Sequence, residues 1–162
     1  MTERIAVYDT GMLIAIASRK ATAVQIHREI RDRASHRPIV PGLALIQAWR
    51  PEPGLAHTLS TLLKDCTVPH ARSSSPPFRR TDAGRHDCIA CSTAPDVRDL
   101  RRIGAALGTA DFPSKKRPDA VDASVAWIAM KHRESLLLTS DPRDMTAYLA
   151  ALHDHDTRVV AV

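Results

Sequence analysis

Three aspartates of this chain are placed where their carboxylates could act together on one cation. Asp9 follows a short β-prone run, Asp141 follows a second apolar run, and Asp122 lies in the first turns of a predicted helix. Clustered carboxylates repel one another unless a hard cation neutralises them, and ligand sets made only of oxygen favour Mg²⁺ or Mn²⁺. The residue types therefore indicate a divalent-metal site.

Asp119 adds a fourth carboxylate to this set. It lies three residues before Asp122, so both side chains project from one face at the start of the helix. A simpler role is open to each aspartate: an Asp after a strand often caps the next helix, and an Asp in a first turn interacts favourably with the helix dipole. Capping is the commoner role for any single aspartate, but it explains less well why all of them would fall at one edge of a sheet.

The elements that must position these residues alternate along the chain. Runs typical of strands lie at 4–8, 38–41, 66–68, 136–139 and 158–162, and helical patterns lie at 12–17, 21–36, 42–50, 54–64, 96–110, 119–132 and 142–152. Strands separated by helices, without hairpin signals, predict an α/β fold around a parallel sheet. Ligands bind at the carboxyl ends of such strands, so we expect Asp9 and Asp141 to converge there.

Residues 69–95 follow neither period and are rich in Ser, Pro, Arg and His. We expect an irregular insert here, within a single domain at 1–162, because this length suits one compact domain. The insert holds Cys88 and Cys91 in a CxxC spacing, with His86 nearby. Zinc needs four ligands and a second pair is not evident, so a zinc site is the less favoured interpretation.

Composition narrows the class of partner. The formal net charge of +5 favours an anionic partner such as nucleic acid, whereas two Trp, two Tyr and two Phe are too few for a base-stacking platform. No apolar run approaches the roughly 18 residues of a membrane span, and Asp9 interrupts the apolar N-terminal stretch, unlike a signal peptide. We therefore expect a cytoplasmic protein, and its three cysteines agree with a reducing compartment.

Four short motifs follow one another in a recognisable order. They are Tyr8-Asp9-Thr10-Gly11 with Met12-Leu13-Ile14, Val40-Pro41 leading into Leu45-Ile46-Gln47-Ala48-Trp49-Arg50, Pro118-Asp119-Ala120-Val121-Asp122-Ala123, and Leu138-Thr139-Ser140-Asp141-Pro142. Their order and spacing resemble the PIN-domain family, and most of all the VapC-like toxins of bacterial toxin–antitoxin pairs. The resemblance covers roughly residues 4–68 and 96–162 and leaves out the insert.

The resemblance implies a Mg²⁺- or Mn²⁺-dependent endoribonuclease with a three-layer α/β/α fold and a central, mostly parallel sheet. It also implies a homodimer that a cognate antitoxin protein silences. Asp9 falls on the first metal-binding acid of the family, Asp122 on the third and Asp141 on the fourth. Asp119 would be an additional acid at the metal. The implied reaction is in-line attack on an RNA phosphodiester by water activated on a metal that these acids hold.

One position departs from the family pattern. The second acid, usually Glu, falls on Gln47, whose carbonyl oxygen can still coordinate a cation or orient a water but carries no charge. Metal binding should weaken, and a potential general base is lost. Two interpretations therefore stay open: a toxin-type ribonuclease, or a non-catalytic PIN-like module that binds RNA or a protein through a degraded metal site.

Several neighbouring residues are candidates for holding the substrate. Thr10 and Ser140 are small hydroxyl residues that could hold a water or a phosphate, and simple capping explains them equally well. Arg50 lies one turn after Gln47 on a predicted helix and could reach the mouth of the site. Lys115 and Lys116 belong to a basic turn that could contact the RNA backbone, although a solvated loop is the commoner role for such a turn.

Overall fold

The computed structural model describes residues 4–50, 52–70, 89–113 and 115–162, and none of the helices in these ranges is long and apolar enough to cross a membrane. These ranges contain a three-stranded parallel sheet and eight helices, so the fold is mixed α/β. The strands are β1 (Ala6–Tyr8), β2 (Leu136–Thr139) and β3 (Arg158–Ala161). The helices are α1 (Thr10–Ala17), α2 (Ala21–Arg33), α3 (Gly42–Ala48), α4 (Pro53–Leu63), α5 (Ile89–Ser92), α6 (Val97–Thr109), α7 (Ala120–Met130) and α8 (Pro142–Ala151).

The sheet extends on both sides of β1, with two strands on one side and single bridges on the other. Strand β2 lies between β1 and β3 and pairs with both in parallel, with Leu137 opposite Val7 on one side and Val159 on the other. On the far side of β1, single parallel bridges join Val7 to Ile39 and Ile39 to Thr67. The chain therefore extends the sheet on one side first and then crosses to the other. Such a reversal leaves a crevice at the carboxyl ends of the two central strands, which here are β1 and β2.

The predicted strands at 38–41 and 66–68 are reduced to those single bridges. Pro38 and Pro41 lack the N–H that a longer ladder would need, so only the two residues between them can donate backbone hydrogen bonds, although Pro38 O still accepts the Thr67 N–H. The predicted helix at 42–50 also ends early. Trp49 already has an extended backbone with ψ of 128°, which puts Arg50 outside α3.

The two ends of the insert expected at 69–95 lie within the described residues. His70 and Thr93 form a parallel bridge, in which His70 N–H donates to Ser92 O and His70 O accepts the Ala94 N–H, and α5 forms just before Thr93. Both ends of the segment are thus ordered against each other. Residues 71–88, which include His86 and Cys88 of the CxxC motif, lie outside the described residues.

Helix α7 is the most deeply buried helix of the described chain. Its residues 123–129 are all buried, and most of them are small, which lets α3, α6, α8 and β1 approach it closely. A helix packed on this many sides has little freedom to shift. The first turn of α7, with Asp119 and Asp122, is therefore held in a fixed position relative to β1 and α3.

Candidate functional site

Five carboxylates gather where β1 and β2 end and where α1, α7 and α8 begin. They belong to Asp9, Asp119, Asp122, Asp141 and Asp144, which we call the acid cluster. Four of them are the aspartates singled out from the sequence. Asp144 was not singled out, although the repeated Asp-x-x-Asp spacing at 119–122 and 141–144 is the signal that could have found it.

Asp9 is held by hydrogen bonds on both of its oxygens. Its Oδ1 accepts the Thr10 N–H at 2.5 Å, and its Oδ2 accepts the Thr139 hydroxyl at 2.7 Å. Its own N–H continues the sheet by donating to Leu138 O at 3.0 Å. Burial raises the pKa of Asp9, because only 4% of the residue is exposed, and the hydrogen bonds offset that rise in part. Asp9 therefore caps α1 and faces the acid cluster at the same time.

Thr139 connects the ends of the two central strands. It is fully buried, donates its hydroxyl proton to Asp9, and accepts the Asp141 N–H at 3.0 Å. With the Asp141 N–H donating to its oxygen, the Thr139 proton is directed at Asp9. Sequence reasoning placed Thr139 only in a strand, because a threonine at a strand end gives no sign of its partners.

The first turn of α7 is anchored by α8. Asp119 Oδ1 accepts the Val121 N–H at 2.7 Å and so caps the helix, while the Asp119 N–H donates to the buried Tyr148 hydroxyl at 2.6 Å. No described residue donates a hydrogen bond to the carboxylate of Asp122, one turn further on. The pKa of Asp122 rises to about 7, because burial disfavours its charged form and the other four carboxylates of the cluster repel it.

Gln47 lies at the edge of the acid cluster and joins two of its helices. Its Oε1 accepts the Thr10 hydroxyl at 2.7 Å, and its Nε2 donates to Asp119 Oδ2 at 3.5 Å. The amide thus matches its surroundings, since a glutamate here would put another carboxylate beside Asp119. Thr10 directs its hydroxyl at Gln47, within reach of α3 rather than at open solvent.

Lys116 contributes a positive charge to one side of the cluster. Its ammonium lies 3.0 Å from Asp141 Oδ2 and also pairs with Asp144 Oδ2. Burial alone would raise the pKa of Asp141, but the hydrogen bond from Lys116 and backbone N–H donors at the start of α8 outweigh it, and this pKa is lowered. These contacts differ from the role expected from the sequence, in which Lys116 faces an RNA phosphate.

The remaining candidates lie at the rim. Arg50 was expected on the helical face of Gln47, and that placement is wrong because α3 ends first; its guanidinium instead donates to Gln47 O at 2.7 Å and Trp49 O at 2.8 Å. Lys115 is exposed. Ser140 is exposed beside Gly11, where an added Cβ would lie 2.8 Å from Ser140 N, so glycine is needed for α1 to begin this close to the end of β2.

The ligand chemistry of the acid cluster suits a divalent cation, but its carboxylates are not arranged to coordinate one. Among the described residues, no three His, Cys, Asp or Glu side chains lie close enough together to form a ready-made metal site. The donors are hard oxygens, and their negative charges outnumber the nearby positive ones. Burial, and after it repulsion from these like charges, raises the pKa of Asp122. A cation would have to draw the carboxylates of Asp9, Asp119 and Asp122 together.

Comparison with protein-family models, with curated proteins and with solved structures finds no significant match to this chain.

Proposed function

We propose that this protein is a Mg²⁺- or Mn²⁺-dependent endoribonuclease, built as a single PIN-like domain with three α/β/α layers. The acid cluster carries the proposal. Five carboxylates gather at the carboxyl ends of parallel strands, and burial, together with repulsion from the other four, raises the pKa of Asp122 to about 7. A purely structural role does not require such repulsion, whereas a divalent cation would relieve it.

Asp9, Asp119 and Asp122 are the residues that would hold the cation. When bound, Mg²⁺ or Mn²⁺ supplies a Lewis acid for phosphodiester hydrolysis. The chain supplies the positioning: Thr139 and Thr10 fix the two oxygens of Asp9, and Tyr148 fixes the start of α7. Because Asp122 retains a proton part of the time near neutral pH, cation uptake should displace that proton and strengthen as pH rises.

The substrate in this proposal is RNA, held mainly through its phosphates. The net charge of +5 supports an anionic substrate. Lys115 and Arg50 lie exposed on segments that flank the cluster and remain our candidates for backbone contacts, together with the exposed Ser140. Thr10 is buried and its hydroxyl donates to Gln47, so it would act through that contact. Such contacts would be blind to sequence.

A protein partner is also part of the proposal. Exposed apolar side chains lie on α1, on α3 and at the residue that follows α3, namely Ile14, Leu43, Ile46 and Trp49, and 72% of Ile46 is accessible. Apolar surface beside a site supports binding of another protein. We propose a cognate antitoxin as that protein and a homodimer as the assembled form, acting on RNA in the cytoplasm.

The test is cleavage of a mixed RNA pool by the purified protein in Mg²⁺, in Mn²⁺ and in EDTA, beside two matched variants. Asp122 and Asp99 are both the third residue of a helix that an aspartate caps, but only Asp122 belongs to the acid cluster. We expect Asp122→Asn to lower the rate by about 100-fold or more and Asp99→Asn to leave it unchanged. Cleavage in EDTA, or equal cleavage by Asp122→Asn and the parent, would refute the proposal.

The second candidate is a non-catalytic module that binds RNA or protein through the same surface. The Gln47 amide, hydrogen-bonded to Asp119, and the Lys116 ammonium, paired with Asp141 and Asp144, favour it, because both satisfy carboxylates without a metal. Folded protein that binds RNA but cleaves none of it with either metal would support this candidate.

A further inference from the structure

Lys116 is the starting point, because it places a cation inside a cluster otherwise made of acids. Its ammonium contacts Asp141 and Asp144, which are the capping residue and the third residue of α8. Of the described Lys and Arg side chains, none but Lys116 forms an ion pair with the acid cluster. The two halves of the cluster therefore differ: the α8 half has a counterion, and the half formed by Asp9, Asp119 and Asp122 has none among the described residues.

The contact is specific to Lys116 within its basic turn. The turn is closed by a backbone hydrogen bond from Lys116 N–H to Pro113 O at 2.8 Å, which directs this residue towards α8. Lys115, its neighbour, is exposed and forms no ion pair with a described residue. Asp144 has little room for another partner, since only 9% of its side chain is accessible and Lys116 occupies that opening.

Two carboxylates in this arrangement are the ligands that a second divalent cation would use. Sites that act on phosphodiesters often hold two ions, each shared among several carboxylates. An ammonium neutralises one carboxylate charge but offers no vacant coordination site and is tied to the chain. Resting on the metal-dependent function proposed above, we propose that Lys116 takes the place of a second metal ion, so that the site holds one divalent cation, at Asp9, Asp119 and Asp122.

The experiment counts bound Mn²⁺ by calorimetry and by electron paramagnetic resonance on metal-stripped protein. The parent, Lys115→Met and Lys116→Arg should each bind one ion, whereas Lys116→Met should bind two. Combining Lys116→Met with Asp122→Asn should abolish the first ion and keep the second, because Asp141 and Asp144 are untouched. Thermal unfolding without metal gives a second measurement: Lys116→Met should lower Tm more than Lys115→Met, since it leaves two neighbouring carboxylates without a counterion.

The possible results separate this inference from the function on which it rests. One ion in both the parent and Lys116→Met, lost in Asp122→Asn, would overturn the role of Lys116 and leave the metal site standing. Two ions in the parent would also overturn it, because Lys116 would then exclude nothing. Absence of Mn²⁺ from the parent and from Lys116→Met would overturn both proposals. Uptake by Lys116→Met alone would also overturn the inference, because the parent would then hold no cation at Asp9, Asp119 and Asp122.

Discussion

Helices α6 and α7 both begin with Asp-x-x-Asp, yet the two pairs of carboxylates are used differently. At α6 the pair forms a reciprocal capping box, in which Asp96 accepts the Asp99 N–H at 2.9 Å and Asp99 accepts the Asp96 N–H at 3.1 Å. At α7 the first acid, Asp119, caps the helix, but its N–H does not turn to Asp122. The same local sequence thus gives a closed cap in one place and an available carboxylate in the other.

The difference arises because, at α7 and α8, a residue from elsewhere in the chain accepts the backbone N–H of the capping aspartate. The Tyr148 hydroxyl accepts the Asp119 N–H at α7, and Thr139 accepts the Asp141 N–H at α8 in the same way. Since the N–H of each capping aspartate already has an acceptor, the third residue of the helix, Asp122 in α7 and Asp144 in α8, is not needed to complete a capping box. The carboxylate of Asp122 therefore belongs to the acid cluster, and that of Asp144 pairs with Lys116.

The electrostatic outcome follows from these partners. The pKa of Asp96 is lowered, chiefly because its carboxylate accepts a backbone hydrogen bond from Asp99. The pKa of Asp122 is raised to about 7, because it is buried among like charges. Equal spacing in sequence therefore does not imply equal chemistry. The capping box at α6 stabilises Asp96 as a carboxylate, whereas at α7, where no such box forms, Asp122 is buried beside carboxylates whose repulsion a cation can relieve.

The strongest test of this contrast is the pH dependence of stability in metal-free buffer. Since the pKa of Asp122 in the folded state lies above that of an unfolded aspartate, the folded state binds more protons between about pH 4 and 7. Its contribution to the free energy of unfolding falls as pH rises through this window and is constant above it. Asp122→Asn removes that fall. Because Asp122 is only half-buried and solvent screens part of the effect, the variant at about pH 8 should be more stable than the parent by on the order of 2–3 kcal/mol, less than the full pKa shift would give.

Asp99→Asn is the matched control for that measurement. It weakens the capping box and removes the carboxylate that faces Lys131 Nζ at 3.6 Å, so it should lower stability by about 0.5–1 kcal/mol. Urea denaturation of both variants across this pH range gives the comparison. Destabilisation of the same sign in both variants at high pH would mean that Asp122 is an ordinary helix residue and that the two regions do not differ.

A smaller effect on stability is expected from a variant that allows a reciprocal capping box to form at α7. Tyr148→Phe removes the hydroxyl that accepts the Asp119 N–H, which should cost about 1–2 kcal/mol. The freed N–H can then turn to Asp122, and a hydrogen bond to the charged form would lower the pKa of that carboxyl. Carbon-detected NMR titration of Asp122 measures this directly.

The other tyrosine provides the control for this change. Tyr8 is equally buried and bonds His27 Nδ1 at 3.0 Å, away from the acid cluster, so Tyr8→Phe should lose stability and leave the titration of Asp122 unchanged. An Asp122 titration that is identical in Tyr148→Phe and the parent would show that Tyr148 does not prevent a hydrogen bond between the Asp119 N–H and Asp122.

Much of this architecture is local in sequence and could be predicted from it. The strand at 136–139 is predicted with its observed bounds, and the helix at 142–152 within one residue, because each is bounded by strong signals: an apolar run followed by Asp141-Pro142. The order of strands and helices likewise predicts the parallel sheet. In the observed strand order β1 and β2 are neighbours, so their carboxyl ends, which Asp9 and Asp141 follow, lie at the same edge of the sheet.

What escaped prediction depends on contacts between distant parts of the chain. Tyr148 reaches Asp119 across 29 positions, and Thr139 reaches Asp9 across 130, which no periodicity encodes. Arg50 was misplaced because the extended backbone of Trp49 ends, before Pro51 is reached, a helix that composition alone would continue. The side chain of Lys116 could point to RNA or to Asp141 with the same sequence, and only the packed position of α8 decides between them.

The smallest expected difference concerns the caps themselves. Asp96→Ala removes an exposed cap with no compensation and should lower the stability. Asp119→Ala also removes a cap, but it takes a carboxylate away from Asp9 and Asp122, so relief of repulsion should offset most of the loss and leave the stability within about 0.5 kcal/mol of the parent. Urea denaturation of the two variants at low ionic strength, where repulsion is least screened, measures the difference between their free energies of unfolding. Adding salt should narrow that gap, because screening weakens only the repulsion at α7; equal losses at every salt concentration would mean that Asp119 acts as a cap and nothing more.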